Sequence, residues 1–206
     1  MIIGLVGLIG SGKGTVGDML VGQNFKHESF ANSLKDAASS VFNWDRELLE
    51  GITPKSRAWR EGVDEWWSER LGIPNFSPRV ALQLLGTEVF RNHFHQDIWI
   101  LGLESRIKDS IDNVVLTDAR FPNEIDMVRR LGGVIVRVKR GDDPEWFNFA
   151  ATQPENMFQV HPDIHASEYS WVGVTPNYLI TNDGTMEDLN IVVTDLLQDL
   201  LGSNPT

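Results

Sequence analysis

No cysteine occurs in the 206 residues of the chain. That excludes disulfide scaffolds, thiolate zinc sites, iron–sulfur clusters and cysteine nucleophiles together. A chain of this length buries about 70% of the surface it exposes when unfolded, so it needs no such staple. Positive charge is scarce too: Lys and Arg number 18 against 29 for Asp and Glu, a formal charge of −11. So acidic a chain has no general attraction for nucleic acid or for an anionic membrane. An anionic ligand must be held by local positive charge against that background. Long apolar runs are also missing. No stretch approaches the ~20 residues of a membrane span, and the opening Met-Ile-Ile-Gly-Leu-Val-Gly-Leu lacks a basic leader. The expectation is a cytoplasmic protein of one compact domain, with neither a nucleic-acid nor a membrane partner.

What is present reads as alternating strands and helices. Ile2 to Val6 is an apolar run before a glycine cluster, the form of a strand buried on both faces of a parallel sheet. A second strand is expected near Phe25 to His27, a third over Asn113-Val-Val-Leu-Thr-Asp118, a fourth over Val134 to Val138 and a last over Asn177 to Thr181. Helical spacing follows the glycine cluster and recurs from Ala31 to Phe42, Asp45 to Glu50 and Asp97 to Asp109. It is also expected after Pro78, after Pro122 and beyond Thr185-Met-Glu-Asp188, a capping box with Asp in the place of Glu. Residues 51–77, with Trp59, Trp66 and Trp67, read as an irregular helical insert. Residues 141–172 lack a period and are too long for an ordinary connection, which predicts a mobile functional segment. The alternation predicts an α/β fold whose mainly parallel sheet is covered on both sides.

The strongest motif is Gly7-x-x-Gly10-Ser11-Gly12-Lys13-Gly14-Thr15, placed between a buried strand and a helix. A triphosphate needs many donors close together, and the backbone supplies them only where side chains do not intrude. The helix that follows aims unpaired N–H groups and its positive dipole end at the anion. Gly10, Ser11, Gly12, Lys13, Gly14 and Thr15 are therefore candidate nucleotide-binding residues, with Lys13 bridging the outer phosphates. The common phosphate loop places Ser or Thr directly after the lysine, whereas here Gly14 intervenes. Direct Mg²⁺ ligation, ligation through water and phosphate binding all remain open for Thr15.

Further motifs extend over most of the chain: Ser29-Phe-Ala-x-x-Leu-Lys35, Pro78-Arg-x-x-Leu-Gln83-x-x-Gly86-Thr-Glu88-x-x-Arg91, Asp97-Ile-Trp99, Thr117-Asp-x-Arg120-Phe-x-Asn-Glu124, Val138-x-Arg140, His165-x-Ser167-Glu168 and Asn182-Asp-Gly-Thr185. In this order behind a phosphate loop, the chain resembles the deoxynucleoside monophosphate kinases of tailed bacteriophages, a branch of the P-loop nucleoside monophosphate kinases. The resemblance implies a three-layer α/β/α fold of the P-loop NTPase type with five strands. It implies a core of about 1–42 and 111–206, a helical acceptor-binding insert of about 43–110 and a lid of about 141–172. It also implies transfer of the ATP γ-phosphoryl group to a deoxynucleoside monophosphate with Mg²⁺, a homodimer, and Ser167 and Glu168 closing the lid over the phosphates. Other acceptors for a P-loop kinase are dephospho-coenzyme A or a hydroxymethylated base in DNA. A regulatory NTP-binding protein is the alternative outside the kinases.

Independent of resemblance, the loop, Asp118 with Arg120, Arg140, and Asn182 with Asp183 each follow an expected strand, and ligands gather outside the carboxyl ends of strands in open α/β sheets. Lys13, Arg120 and Arg140 are candidates for neutralising transition-state charge, and Asp118 for holding Mg²⁺ or its water. Asp118 also reads as a helix-capping carboxylate beside Pro122, and Arg140 as the solvated end of Arg137-x-Lys139-Arg140. On the acceptor side, Gln83, Glu88 and Arg91 recur at helical spacing, with Arg79 one turn earlier. They read as a phosphate fork with base-reading side chains, or as an exposed helix laced with ion pairs. Lys35 is a phosphate contact or a solvated lysine, and Trp99 a base-stacking ring or core. His161 and His165, separated by Pro162, give no expectation of a metal site.

Overall fold

The computed structural model describes residues 1–202. In chain order its elements are β1 (Ile2–Val6), α1 (Lys13–Gly22), β2 (Phe25–Glu28), α2 (Asn32–Phe42), α3 (Pro54–Glu61), α4 (Glu65–Leu71), α5 (Pro78–Gln83) and α6 (Ile98–Ile107). There follow β3 (Asn113–Leu116), α7 (Pro122–Arg130), β4 (Val134–Lys139), α8 (Phe147–Thr152), α9 (Met157–Val160), α10 (Ala166–Tyr169), β5 (Tyr178–Thr181) and α11 (Met186–Gly202). The chain forms two compact units. One comprises Met1–Ser29 and the chain from Arg106 on, the other Phe30–Ser105. α2, read from sequence with the sheet-bearing core, thus falls in the helical unit. Among the described residues no helix is long and apolar enough to cross a membrane.

The first unit is built on a five-stranded sheet of order β2-β3-β1-β4-β5, every pairing of which is parallel. Side chains alternate between the faces of a strand, and β1 shows both faces buried. Ile3 and Leu5 enter a cluster with Val16 and Leu20 of α1 and Leu189, Val193 and Leu197 of α11. Gly4, between them, faces the other way, where a Cβ would stand 3.0 Å from Ile135 Cδ1 and 3.3 Å from Val128 Cγ2 of α7. Helices therefore cover both faces, giving the expected α/β/α layering. The chain leaves β1 toward β2 but leaves β3 toward β4. The direction reverses between β1 and β3, where such sheets open a crevice at their carboxyl edge.

Two local details of this unit bear on the sequence reading. At the start of α11, Thr185 N donates to Asp188 Oδ2 at 2.8 Å and Asp188 N donates to Thr185 Oγ1 at 3.2 Å. Asp does close the capping box. Residues 141–172 differ from expectation, because they hold three short helices, α8 to α10, anchored by buried Phe147, Ala150, Met157, Tyr169 and Trp171. The Arg137 guanidinium lies 4.4 Å from the Phe147 ring centre and 5.5 Å from that of Trp171. Helices of one or two turns are too short to display a period.

The second unit packs around Ala38, Phe42, Trp44, Leu49, Phe76 and Ala81. Phe42 stacks on Trp44 at 4.4 Å and meets Trp67 edge-on at 5.1 Å. The stretch read as irregular is two capped helices. Thr53 and Ser56 close a box at the start of α3, and Asp64 accepts from Trp67 N at 3.1 Å at the start of α4 while also accepting from Trp44 Nε1 at 2.8 Å. The helix expected over Asp45–Glu50 shrinks to a 3₁₀ turn, Leu48–Glu50, ended by Gly51 at φ +66°. After α5 the chain winds as a π-helix over Leu84–Phe94, with His95 N donating to Phe90 O at 2.8 Å. Two side-chain intrusions coincide with this wider winding: the Gly86 carbonyl accepts from Trp99 Nε1 at 2.9 Å, and a Cβ on Gly86 would lie 2.8 Å from Leu34 Cδ2.

Candidate active site

β1 delivers the chain into Gly7, and two glycines make the loop that follows feasible. A Cβ on Gly7 would stand 2.3 Å from the Val138 carbonyl oxygen, and one on Gly12, at φ +101°, 2.3 Å from Asn182 Nδ2. No L side chain fits either position. Gly12 caps α1 without a side-chain hydrogen bond, and no acidic residue occupies the helix's first turn. The opening amides are therefore left for an external anion. They border a cavity of about 540 Å³ whose lining includes Gly10, Gly12 to Thr15, Thr117, Arg140, Asn182 and Thr185.

Lys13 folds back over this loop, its Nζ donating to the Gly7 carbonyl at 2.6 Å and the Leu8 carbonyl at 2.9 Å. Burial, and after it the positive charge of Arg120, lower its pKa to about 8, with Glu168 opposing the shift. The ammonium is thus short of negative charge, and an arriving phosphate supplies it. Asn182 braces the loop, with Nδ2 donating to the Ser11 carbonyl at 2.9 Å and its backbone N to the Lys139 carbonyl at 2.7 Å. Nearby, Asp183 accepts from Gly141 N at 2.6 Å.

Asp118 and Arg140, each left with two readings, follow β3 and β4. The amides of Arg120 and Phe121 donate to Oε2 of buried Glu124, at 2.8 and 3.1 Å. Glu124 therefore serves the start of α7. The Asp118 carboxylate accepts from Ser29 Oγ at 2.6 Å. Arg120 extends from that braced turn to Glu168 at 2.9 Å and to Ser167 Oγ at 3.4 Å, so Lys13, Arg120 and Glu168 act on one another at the loop. Arg137 and Lys139 both pair with Asp143, whereas exposed Arg140 lines the cavity. Glu124 could have been found as a third-position glutamate after Phe121-Pro122. The His165 ring accepts from Ser167 N at 3.2 Å, capping α10 beside Glu168.

The acceptor candidates lie in the helical unit and are arranged differently. Lys35, only 13% exposed at its side chain, pairs with Glu50, which also takes Arg46. Arg79 pairs with Glu61 at 2.7 Å, both half-exposed. Gln83 and Glu88 are exposed, and Arg91 is half-buried. Asn92 Nδ2 donates to Glu88 at 3.1 Å. The π winding alters the expected geometry, because hydrogen bonds that run five residues back change the angle between successive side chains over Leu84–Phe94. Trp99 is 7% exposed and edge-on to Phe90 at 5.1 Å. It is core rather than a ring open to a base.

A family model described as deoxynucleotide monophosphate kinase matches residues 66–193, well over half of the chain. The chain belongs to the deoxynucleotide monophosphate kinase family. Its relatives include a putative deoxynucleotide monophosphate kinase of Acanthamoeba polyphaga mimivirus, 30% identical over 68% of this chain and 74% of that protein. The deoxynucleoside-5′-monophosphate kinase of Escherichia phage T5 is 28% identical over 63% of this chain and 72% of its own. Of solved structures, the shikimate kinase of Aquifex aeolicus aligns over 99% of this chain and 100% of its own, at 13% identity and a TM-score of 0.46. The family match begins downstream of the glycine loop. Loop geometry and the family-model match therefore rest on different residues.

Proposed function

We propose that the chain transfers the γ-phosphoryl group of ATP to a deoxynucleoside monophosphate, giving ADP and a deoxynucleoside diphosphate. The observation that carries the reading is the glycine loop, with open helix amides and Lys13 at the mouth of a 540 Å³ cavity, in a chain of this family. An oxygen of the acceptor's phosphate attacks the γ-phosphorus and the bond to the β,γ-bridging oxygen breaks, leaving with ADP. The attacking oxygen is already anionic near neutral pH, so no general base is needed. The protein's work is positioning and neutralisation. Gly10 to Thr15 hold the donor phosphates, and Lys13, Arg120 and Arg140 meet charge as it moves. Glu168 holds Arg120 in place. Asn182 supports the loop.

Asp118 and Thr15 suit Mg²⁺, which keeps waters and phosphate oxygens and takes only one or two protein oxygens. Asp118 offers a carboxylate already oriented by Ser29. Bound there, the ion would offset phosphate charge. For the acceptor, the reading assigns Arg79 and Arg91 to its phosphate and Gln83 and Glu88 to its base. Lys35 and Trp99 are committed elsewhere. The reading also has the protein act on free nucleotides in the cytoplasm, as a homodimer, with no nucleic-acid or membrane partner, in keeping with its acidity.

The test is to incubate the protein with ATP, Mg²⁺ and a panel of nucleoside monophosphates, modified bases included, and to identify the products. ADP formation dependent on a deoxynucleoside monophosphate is expected. ADP released equally without any monophosphate would overturn the assignment.

A further inference from the structure

β2 is an edge strand, yet two residues at its end, His27 within it and Ser29 just beyond it, reach toward the active site. Ser29 Oγ donates to Asp118, as described above. Two residues earlier, His27 Nε2 lies 2.9 Å from Thr117 Oγ1. A spacing of two puts both side chains on the same side of the strand, and the parallel register places His27 opposite Val115 and Glu28 opposite Leu116. Thr117 is also fixed at its other branch: its Cγ2 methyl lies 2.6 Å from where a Cβ on Gly17 would stand. The methyl thus sits against the bare backbone of α1, the helix that begins at the loop. Held at methyl and hydroxyl, Thr117 has one rotamer available, and it lines the phosphate cavity.

We infer that His27 is a positioning residue for phosphoryl transfer, acting through the hydroxyl of Thr117. This rests on the proposed kinase reading. A hydroxyl has one proton and two lone pairs, so its two neighbours decide its polarity. When His27 Nε2 carries the ring proton and donates it to Thr117 Oγ1, the threonine's own O–H is free to donate into the cavity. A phosphate there, which only accepts, selects that arrangement. Without His27, the hydroxyl turns toward other acceptors and the cavity loses a directed donor. The same strand end thereby sets both members of Thr117-Asp118, the hydroxyl through His27 and the carboxylate through Ser29.

The experiment is a double-mutant cycle of His27→Ala and Thr117→Val, with His27→Gln added. Each variant is read by kcat and KM for monophosphate-dependent ADP formation, and by calorimetric affinity for a non-hydrolysable ATP analogue with Mg²⁺. A directed hydrogen bond to a phosphate is worth about tenfold, so His27→Ala should lower kcat/KM for ATP by about that factor. It should do nothing further in the Thr117→Val background, and Gln, whose amide can donate, should restore most of the loss. Thr117→Val keeps the methyl packed against α1, so the cycle survives a modest loss of stability in His27→Ala. Additive losses, or a Gln variant no better than Ala, would overturn the inference. A wild type that forms no monophosphate-dependent ADP would instead sink the kinase reading, while the calorimetric cycle would still judge His27.

Discussion

Lys13 and Arg140 of the parallel-sheet unit are held differently from Lys35 and Arg79 of the helical unit. In the parallel-sheet unit, Lys13 rests on carbonyl oxygens of its own loop and Arg140 lines a cavity. In the helical unit, Lys35 is matched by Glu50 and Arg79 by Glu61. A cation resting on neutral carbonyls gains strongly when a phosphate arrives. A cation already holding a carboxylate must exchange one anion for another, so its net gain is smaller. The difference separates residues poised for charge transfer from residues that also hold the fold.

The sharpest way to break this comparison is Lys13→Ala. Removing the ammonium should lower kcat by about three orders of magnitude, the upper range for losing one preorganised electrostatic donor. The fold should persist by circular dichroism, since among the described residues the Lys13 ammonium donates to carbonyls of its own loop. Near-normal turnover would show that the loop does not serve the donor phosphates. Arg120→Ala should cost less, about 100-fold, because Arg120 is shared with Glu168. Unchanged kinetics would reduce Arg120 to a surface ion pair.

Acidity gives a graded form of the same test. Free Lys13 titrates at about 8, and a bound triphosphate favours its charged form, so the complex holds the proton to higher pH. Below pH 8 the lysine is already protonated and affinity for the ATP analogue should be flat. Above it, binding must take up a proton, and affinity should fall by up to about tenfold per pH unit. The Lys13→Ala variant should show no such slope. A slope persisting in that variant would assign the titration to another group.

Arg91→Ala addresses the helical unit. It should raise the KM for the monophosphate by about tenfold, the value of one charge-assisted contact, and leave the KM for ATP nearly unchanged. The opposite pattern would remove the π-helix from acceptor binding.

The same contrast accounts for what the sequence disclosed. The phosphate loop was legible because its requirements are local: glycines where a Cβ would strike Val138 or Asn182, a strand before and a helix after. Four of the five strands, β2 excepted, were legible as apolar runs, and the α11 cap as Thr185 and Asp188. The helical unit was opaque because its determinants are distant in sequence. Nothing local announces that Trp99 will take the Gly86 carbonyl and that the helix will widen there. Trp59 and Trp67 obscured two ordinary helices because ring partners of theirs, Trp44 and Phe42, lie outside the segment. Within the sheet unit the hidden part is of the same kind. His27 and Ser29 stand 90 and 89 residues from Thr117 and Asp118, and only strand pairing brings them together.

The smallest expected effect falls on Lys35, where the comparison can be sharpened most. Burial opposes the charged form of Glu50, yet hydrogen bonds from Lys35 and Arg46 outweigh it and hold that carboxyl below its ordinary pKa. A depressed carboxyl contributes stability above its unfolded pKa and loses it as pH falls through the folded value. Lys35→Met keeps the apolar stem and removes one of the two cations, and Arg46 remains. The partly exposed pair should be worth about 1 kcal/mol or less at pH 7, read as a lower urea midpoint. The gap between wild type and variant should narrow as pH falls below the ordinary carboxyl range and close once the folded Glu50 is itself protonated. Monophosphate KM should stay as it was. If KM rises while the urea midpoint does not move, Lys35 must release Glu50 to meet a phosphate, and the line drawn here between structural and substrate-facing cations would pass on its other side.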